Sequence, residues 1–457
     1  MKDVSNSSFT ILGAGKSGIT VAKLLKEHGA QVFLSDSTEK SKLKYFDEND
    51  LKKEGIDFET GKHSEKIFDN DAFITSPGIS PYSEILLRAK KQRKKIYPEI
   101  EAAFWFCKCP VIAITGTNGK TTTTVLTGEI FRNAGYDVKI CGNVGIAFSE
   151  VVSELKDDSI VVLEVSSFQL EYIDEFRPEI AVLMNITPDH IDWHGSFDNY
   201  LKAKLKITKN QSGEDLTIVN YDDDILKKNT ESLKSQRSFF STKENLIKEN
   251  IERGSFSEDG KIIYFDKAKN IEEEIMKTHE INIRGNHNLY NSLAAIISAR
   301  ALGIRKEIVS DTLKKFQGVE HRIEFVKEIN GIKFYNDSKA TNIDSLTVAL
   351  ESFDKNLILI IGGRESGNDY SRDDELVKKN VKEIIAIGET KEKISDHFRK
   401  YIKVTKVNSM EEAVNKSFDV SSANDTVLLS PACKSFDMFD SFEHRGKEFK
   451  KFVNALK

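Results

Sequence analysis

The densest chemistry in this sequence lies between Val111 and Thr124. Val111, Ile112, Ala113 and Ile114 are an apolar run of strand character, and Thr115-Gly116-Thr117-Asn118-Gly119-Lys120-Thr121-Thr122 follows without a break. Gly116 and Gly119 permit a tight turn whose N–H groups face inward, Lys120 adds a point charge, and the Thr121 hydroxyl can reach Mg²⁺. A turn of this kind, set between a strand and the helical pattern Val125 to Ala134, cradles phosphates at a helix N-terminus. Ile114 stands where G-x-x-x-x-G-K-[ST] has its first glycine, so the match is to the shorter TGTNGKTT form. The implied ligand is a nucleoside triphosphate.

A second glycine turn, Gly13-Ala14-Gly15-Lys16-Ser17-Gly18, follows the strand-like Phe9 to Leu12 and opens a helical pattern through Leu25; Asp36 ends the next strand, Gln31 to Ser35. This context fits NAD or FAD, and it fits equally the pyrophosphate of a UDP-sugar. Ser76-Pro77-Gly78 makes another turn after the strand Asp71 to Thr75. Glu164, near the end of the run Ile160 to Val165, lies where a metal beside phosphates would be held. The run Ile180 to Ile186 leads into Thr187-Pro188-Asp189-His190-Ile191-Asp192-Trp193-His194, a cluster that suits either a metal or a hydrogen-bonded turn. Tyr200 to Thr208 is helical, and on pattern alone Lys202, Lys204 and Lys206 are solvated. The basic run Lys90, Lys91, Arg93, Lys94 and Lys95 is expected to be a solvated helix face. Asn288 and Asn291 begin a helix, Leu289 to Leu302, where asparagine ordinarily caps.

As a frame for these groups, 457 residues suit about three domains of ~150 residues. Glu99 to Phe106 reads as a linker into the second domain, and the third begins near Val319. Strands alternating with helical stretches of ~10–15 residues predict doubly wound α/β sheets. Ser235 to Thr278 carries short β-like pieces and no chemistry. Lys+Arg 67 against Asp+Glu 72 gives a net charge of −5, which offers no general surface for nucleic acid. Cys107, Cys109, Cys141 and Cys433 lack zinc-ligand spacing and are expected as free thiols. With no signal-peptide pattern and no apolar run of ~18 residues, a cytoplasmic chain without a membrane span is expected.

The motifs together, in fixed order from GAGKSG through SPG, TGTNGKTT, GNVG (142–145), EVSSFQLE (164–171), NITPDH (185–190), AKLKI (203–207), GNHNLYN (285–291), HR, NDSKATN (336–342) and SPACKSFDMFDSFEHRG (430–446), resemble the ATP-dependent Mur ligases. EVSSFQLE and the last motif are similar to the D-glutamate-adding branch. The resemblance implies a Rossmann-like N-terminal domain (1–99) for the UDP end, a central P-loop ATPase domain (100–318), and a C-terminal dinucleotide-binding-like doubly wound domain (319–457) that carries the amino acid and closes over ATP. It implies UDP-N-acetylmuramoyl-L-alanine, D-glutamate and ATP as substrates, no nucleic-acid partner, and a monomer. For the UDP-substrate the matching positions are Lys16, Ser17, Asp36, Ser37, Ser76, Pro77, Gly78 and Asn143. For ATP they are Gly116 to Thr122, Asn288, Asn291, Arg322, Asp337 and Lys339. For D-glutamate they are His190, Thr341, Ser435 and Phe442. Two Mg²⁺ ions, with Mn²⁺ as an alternative, are implied at Thr121, Glu164, His190 and Lys204, the lysine carrying a CO₂-derived carbamate. Lys120, Glu164, His190 and Lys204 are the implied catalytic set. One departure concerns the Gly362-Gly363 turn, after which the family usually has a Lys or Arg; here Ser366 stands there, so either Arg364 or Lys434 compensates or the amino-acid site differs in detail.

Overall fold

All five residues of the strand Val111–Thr115 are buried, as expected where a parallel sheet is covered on both faces. The computed structural model describes residues 2–143, 145–283, 285–365 and 367–457. Three sheets organise it. The first holds β1 (Ser8–Leu12), β2 (Gln31–Asp36), β3 (Asp57–Thr60), β4 (Ala72–Thr75) and β5 (Lys95–Pro98), all parallel, in the order β3-β2-β1-β4-β5. The order reverses between β1 and β4, the crevice where open α/β sheets take ligands.

The second sheet is built from β6 (Val111–Thr115), β7 (Val138–Gly142), β8 (Ile160–Glu164), β9 (Ile180–Leu183), β10 (Leu216–Asn220), β11 (Gln236–Ser241), β12 (Arg253–Glu258), β13 (Lys261–Asp266) and β14 (Ile271–Lys277). Its order is β14-β13-β12-β11-β10-β9-β6-β8-β7. Because β6 lies between β8 and β9 and runs parallel to both, Thr115, Glu164 and Leu183 deliver three loops to one edge. The stretch 235–278 adds β11 and an antiparallel ladder, β12 to β14, at the far side of this sheet. The third sheet is β15 (Glu324–Ile329), β16 (Ile332–Asn336), β17 (Leu357–Ile361), β18 (Val381–Ala386), β19 (Lys403–Lys406) and β20 (Thr426–Leu429), in the order β15-β16-β20-β17-β18-β19. Only the β15/β16 pair is antiparallel.

The chain divides into two compact units: residues 1–280 with 290–314, and residues 281–289 with 315–457. In the first, one apolar cluster runs from Val4, Phe9 and Leu25 through Ile100, Ala103 and Trp105 to Phe148, Phe176 and Phe239. The stretch expected as a linker does join β5 to β6, but as a buried helix rather than an open connection. Glu99–Phe104 is a helix, and Glu99, Ile100, Glu101, Ala102 and Ala103 are all buried. Its carboxylates are occupied by main-chain amides. Glu99 accepts from Ser149 N at 2.6 Å, and Glu101 accepts from the amides of Asp174, Glu175 and Phe176 at 2.8–2.9 Å and from the Trp105 indole at 3.0 Å. The basic run is exposed in the main, but its helix, Glu84–Lys91, stops early, Arg93 turns with φ 57°, and Lys95 starts β5. Among the described residues no helix is long and apolar enough to cross a membrane.

Candidate active site

The phosphate-type loop lies where its sequence pattern predicts. β6 ends at Thr115 and Gly119 caps the helix Lys120–Asn133 with φ 83°, which puts a helix N-terminus, the kind of end that favours anions, directly after the loop. A side chain at Gly116 would put its Cβ 2.8 Å from Met184 Cβ, so this glycine is required by close approach as much as by its turn. Residues 185–187 buckle onto the loop: Thr117 N donates to Asn185 O (3.0 Å), Asn118 N to Asn185 Oδ1 (2.8 Å), and Thr187 N to Thr117 Oγ1 (3.0 Å). Thr117 Oγ1 also meets the Tyr200 hydroxyl at 2.9 Å. In the sequence Asn185 stands inside the run Ile180 to Ile186 and opens the NITPDH motif, with no role marked for it there.

Two lysines converge on one carbonyl. Lys120 Nζ donates to Gly116 O (2.9 Å) and Thr117 O (2.9 Å), and Lys204 Nζ donates to Gly116 O at 2.7 Å. Lys204 is only 3% exposed, which overturns the solvated-face expectation. The reason lies in its helix, Phe197–Leu205: Tyr200, Ala203, Lys204 and Ile207 form one inward stripe, and a lysine on that stripe must be buried. Burial first, and then the charge of Lys120, pull its ammonium well below the usual lysine range, against the opposing pull of Asp189 and Glu164.

Glu164, 1% exposed, ends β8; its Oε1 accepts from Asn143 Nδ2 at 2.8 Å, while its Oε2 is buried without a hydrogen-bond partner. A carboxylate oxygen left orphaned beside a phosphate-type loop suits a divalent cation, whose hard oxygen preference it matches. In the 187–194 loop the histidines part ways. His190 takes φ 51°, lies 3.4 Å from Asp189 and packs its ring 4.9 Å from that of Phe168. His194 is buried, with Nε2 2.9 Å from Ser167 Oγ, and burial pulls it down to about 4, so it stays neutral. His194 thus belongs to the hydrogen-bonded turn, and His190 keeps a half-exposed ring. Among the described residues the group of three acidic or histidine ligands drawn together is Glu320, His321 and Glu324, not this loop, and Lys450 already pairs with both of those carboxylates.

At the edge of the first sheet, GAGKSG and Ser76-Pro77-Gly78 meet. Ser76 Oγ donates to Leu12 O at 2.8 Å, and a Cβ on Gly13 would lie 2.4 Å from Ser76 Oγ. Asp36 accepts from Ala14 N and Thr38 N, both at 2.7 Å, so it orders the glycine turn itself. Lys16 pairs with Glu150 at 2.9 Å, and Ser17 lies in the first turn of the helix Lys16–Glu27. Ser37 and Asn143 are exposed, and Val144 lies outside the described residues.

In the second unit, the carboxyl ends of β16, β17 and β20 share one edge. Asp337 is pushed up to about 7 by burial, against the Ser430 hydroxyl that donates to it at 2.9 Å. Lys339 Nζ stands 5.3 Å over the Phe442 ring. Ser435 is buried, Thr341 is half-buried, and Phe442 opens the helix Phe442–Ala455. Arg445, which no sequence motif marks for a role, is buried and donates to Ser338 Oγ (3.0 Å), Ser338 O (2.7 Å) and Cys433 O (3.0 Å), pinning two of these loops together. Its signals in the sequence are its place in the 430–446 motif and in the first turn of this helix. Asn291, in the first unit, is buried and accepts from Thr123 Oγ1 at 3.1 Å; Asn288 is buried near the start of the helix Asn286–Ala301. Ser366 and Arg284 lie outside the described residues.

This architecture, with a phosphate loop on a largely parallel sheet that is preceded and followed in the chain by further α/β sheets, has known counterparts. Residues 8–85 match the MurD N-terminal domain, 114–299 the Mur ligase middle domain, and 321–433 the Mur ligase glutamate ligase domain. The fold is shared with MurC of Thermotoga maritima (TM-score 0.59, 19% identity, 99% of this chain and 100% of that one) and MurF of the same organism, solved with ADP (0.58, 16%, 100% of both). These define the class as Mur ligases. Among curated proteins, the UDP-N-acetylmuramoylalanine--D-glutamate ligases of Chloroherpeton thalassium and Caldicellulosiruptor bescii are 41% identical over 100% of this chain and 99% of that protein, and 42% identical over 99% of each. The chain belongs to this family of D-glutamate-adding Mur ligases.

Proposed function

We propose that the protein couples ATP hydrolysis to amide formation between UDP-N-acetylmuramoyl-L-alanine and D-glutamate, a cytoplasmic step of peptidoglycan precursor synthesis. The full-length likeness to ligases of that name supports the substrates. The observation that carries the chemistry is the convergence of Lys120 and Lys204 on Gly116 O, in the loop next to the orphaned oxygen of Glu164.

The substrate carboxylate must attack the γ-phosphate of ATP, bringing two anions together, so cationic groups have to offset their repulsion. Lys120 and the amides of 116–121 bind and orient the β- and γ-phosphates. Thr121, Glu164, His190 and carbamylated Lys204 would hold Mg²⁺, which when bound neutralises charge on the reacting oxygens. Lys204 supports its own modification: burial and the charge of Lys120 disfavour its ammonium and so favour the free amine, which adds CO₂ with loss of a proton, and the resulting carbamate is an anion that the neighbouring ammonium favours. The acyl phosphate formed on the substrate is then attacked by the amine of D-glutamate, which releases phosphate. We further propose Lys16, Ser17, Asp36, Ser37, Ser76 to Gly78 and Asn143 for the UDP-substrate, with Asp36 acting through the glycine turn that it orders. Gly116 to Thr122, Asn288, Asn291, Arg322, Asp337 and Lys339 are proposed for ATP. His190, Thr341, Ser435 and Phe442 are proposed for the amino acid.

The test is phosphate release from ATP with UDP-N-acetylmuramoyl-L-alanine and, in turn, D-glutamate, L-glutamate, D-aspartate and L-alanine. Release that requires D-glutamate is expected. Release driven by another amino acid would keep the ligase and move its specificity, and no release with any of them would refute the proposal.

A further inference from the structure

The chain between the helix Glu99–Phe104 and β6 carries two of the four cysteines, Cys107 and Cys109, with one residue between them. Cys107 is half-buried, Lys108 is exposed, and Cys109 is buried. The stretch is held on both sides. Before it, the Phe106 ring stacks 3.8 Å from that of His28; after it, Pro110 O accepts from Val161 N at 3.0 Å. Between these anchors the two sulfurs come together: Cys107 Sγ lies 3.8 Å from Cys109 Sγ and donates to Cys109 O at 3.4 Å. Cys141 and Cys433 are both fully buried, so Cys107 is the one cysteine that reaches the surface.

This arrangement is a dithiol rather than two separate thiols. Residues two apart in a chain have α-carbons within about 7 Å of each other, which is inside the reach of a disulfide. The sulfurs here have under about 2 Å to close to bonding distance. The hydrogen bond between them also eases loss of the first proton. The Cys107 thiol holds the Cys109 thiol below its ordinary range, against burial and the carboxylates of Glu179 and Asp137, and the contact with Cys109 in turn holds Cys107 above it. The pair therefore gives up one proton readily and the second with difficulty. Either sulfur can carry the proton that remains, so the thiolate is available at the surface sulfur as well as at the buried one.

We infer that Cys107 and Cys109 form a modification site, oxidised as a pair and reversibly by small disulfides of the glutathione class. The Cys107 thiolate attacks one sulfur of the small disulfide. Its S–S bond breaks, and the first small thiol leaves with the electron pair and takes up a proton. The mixed disulfide so formed keeps the Cys107 sulfur beside Cys109, whose thiolate attacks it and expels the second small thiol. The protein gives up two electrons and two protons, the small disulfide becomes two thiols, and excess thiol reverses both steps. Capture by Cys109 also keeps the surface sulfur from irreversible oxidation to the sulfinic acid. The inference stands apart from the ligase reaction, since the pair precedes β6 and the phosphate loop follows it.

In the experiment, full-length protein is reduced, freed of reductant, incubated with oxidised glutathione, alkylated and digested with trypsin. Because Lys108 separates the two cysteines, cleavage leaves them on different peptides, residues 96–108 and 109–120. The expected product is these two peptides joined, about 2 Da lighter than their separate thiol forms together and parted by dithiothreitol. It should form at least about tenfold faster than any adduct at Cys141 or Cys433. Cys109→Ala should stop at the first step and accumulate glutathione on the peptide 96–108, whereas Cys107→Ala should take up none at position 109. A lasting glutathione adduct on Cys107 of the parent without joined peptides, adducts that form first at Cys141 or Cys433, or no reaction at all would overturn the inference. The digest of the parent decides each of these points on its own, whether or not a variant folds.

Discussion

At the scale of single residues, Lys204 shows how far a sequence can be read. Its neighbours Lys202 and Lys206 suggest a solvated face, yet Tyr200, Ala203 and Ile207 mark an inward stripe that includes position 204. What no pattern reveals is that the stripe ends on Gly116 O beside Lys120, because that contact spans 88 residues. Lys120 and Thr121, by contrast, are legible at once, since a phosphate loop is local. The histidines of the 187–194 loop are ambiguous for the opposite reason: the partner that claims His194, Ser167, lies on another strand's loop. Lys204→Ala is predicted to lose turnover by several orders of magnitude, because the amine that would carry the carbamate is gone. Short carboxylic acids added to the assay should restore part of it. A variant that retained the parent's activity, or that no carboxylic acid rescued at any concentration, would contradict the carbamate proposal.

At the scale of elements, function is assembled from strand ends. β6, β8 and β9 are all visible as apolar runs, and the apolar pattern puts Glu164 at the end of its strand, the edge at which open α/β sheets take ligands. Strand order is not legible there, because pairing of β6 with both β8 and β9 depends on crossovers that leave no periodic trace. The helix Glu99–Phe104 misleads for a related reason. Two glutamates and a proline at its start resemble a solvated connection, whereas the carboxylates are consumed by amides 50 and 73–75 residues away. Removing the Glu101 carboxylate would strand three main-chain N–H groups and an indole N–H. Glu101→Ala should therefore destabilise the first unit by about 4 kcal/mol. Urea unfolding reads this directly, and a change below about 1 kcal/mol would show that water replaces the carboxylate.

At the scale of the whole molecule, length and the alternation of strand and helix indicate three α/β domains, and three sheets are present. Their grouping into two units is not foreseeable from the chain, because it depends on which apolar clusters are closed. The clusters of the third sheet lie entirely between Ile323 and Leu456. The main cluster of the first sheet is completed by residues from the second, such as Val111 and Val161. A fragment of residues 315–457 is thus predicted to fold and melt cooperatively on its own, and a fragment of residues 1–99 is not. Near-ultraviolet circular dichroism during a melt distinguishes the two, and a cooperative 1–99 fragment would refute this division. The central claim concerns the reaction that the assembled chain performs, and isotope transfer tests it most directly. UDP-N-acetylmuramoyl-L-alanine carrying ¹⁸O in its carboxylate would be turned over with ATP and D-glutamate, and the released phosphate examined by mass spectrometry. Acyl-phosphate chemistry predicts one ¹⁸O in each phosphate released, because the carboxylate oxygen that attacked phosphorus leaves with it. Phosphate without ¹⁸O, accompanied by amide product, would contradict the account.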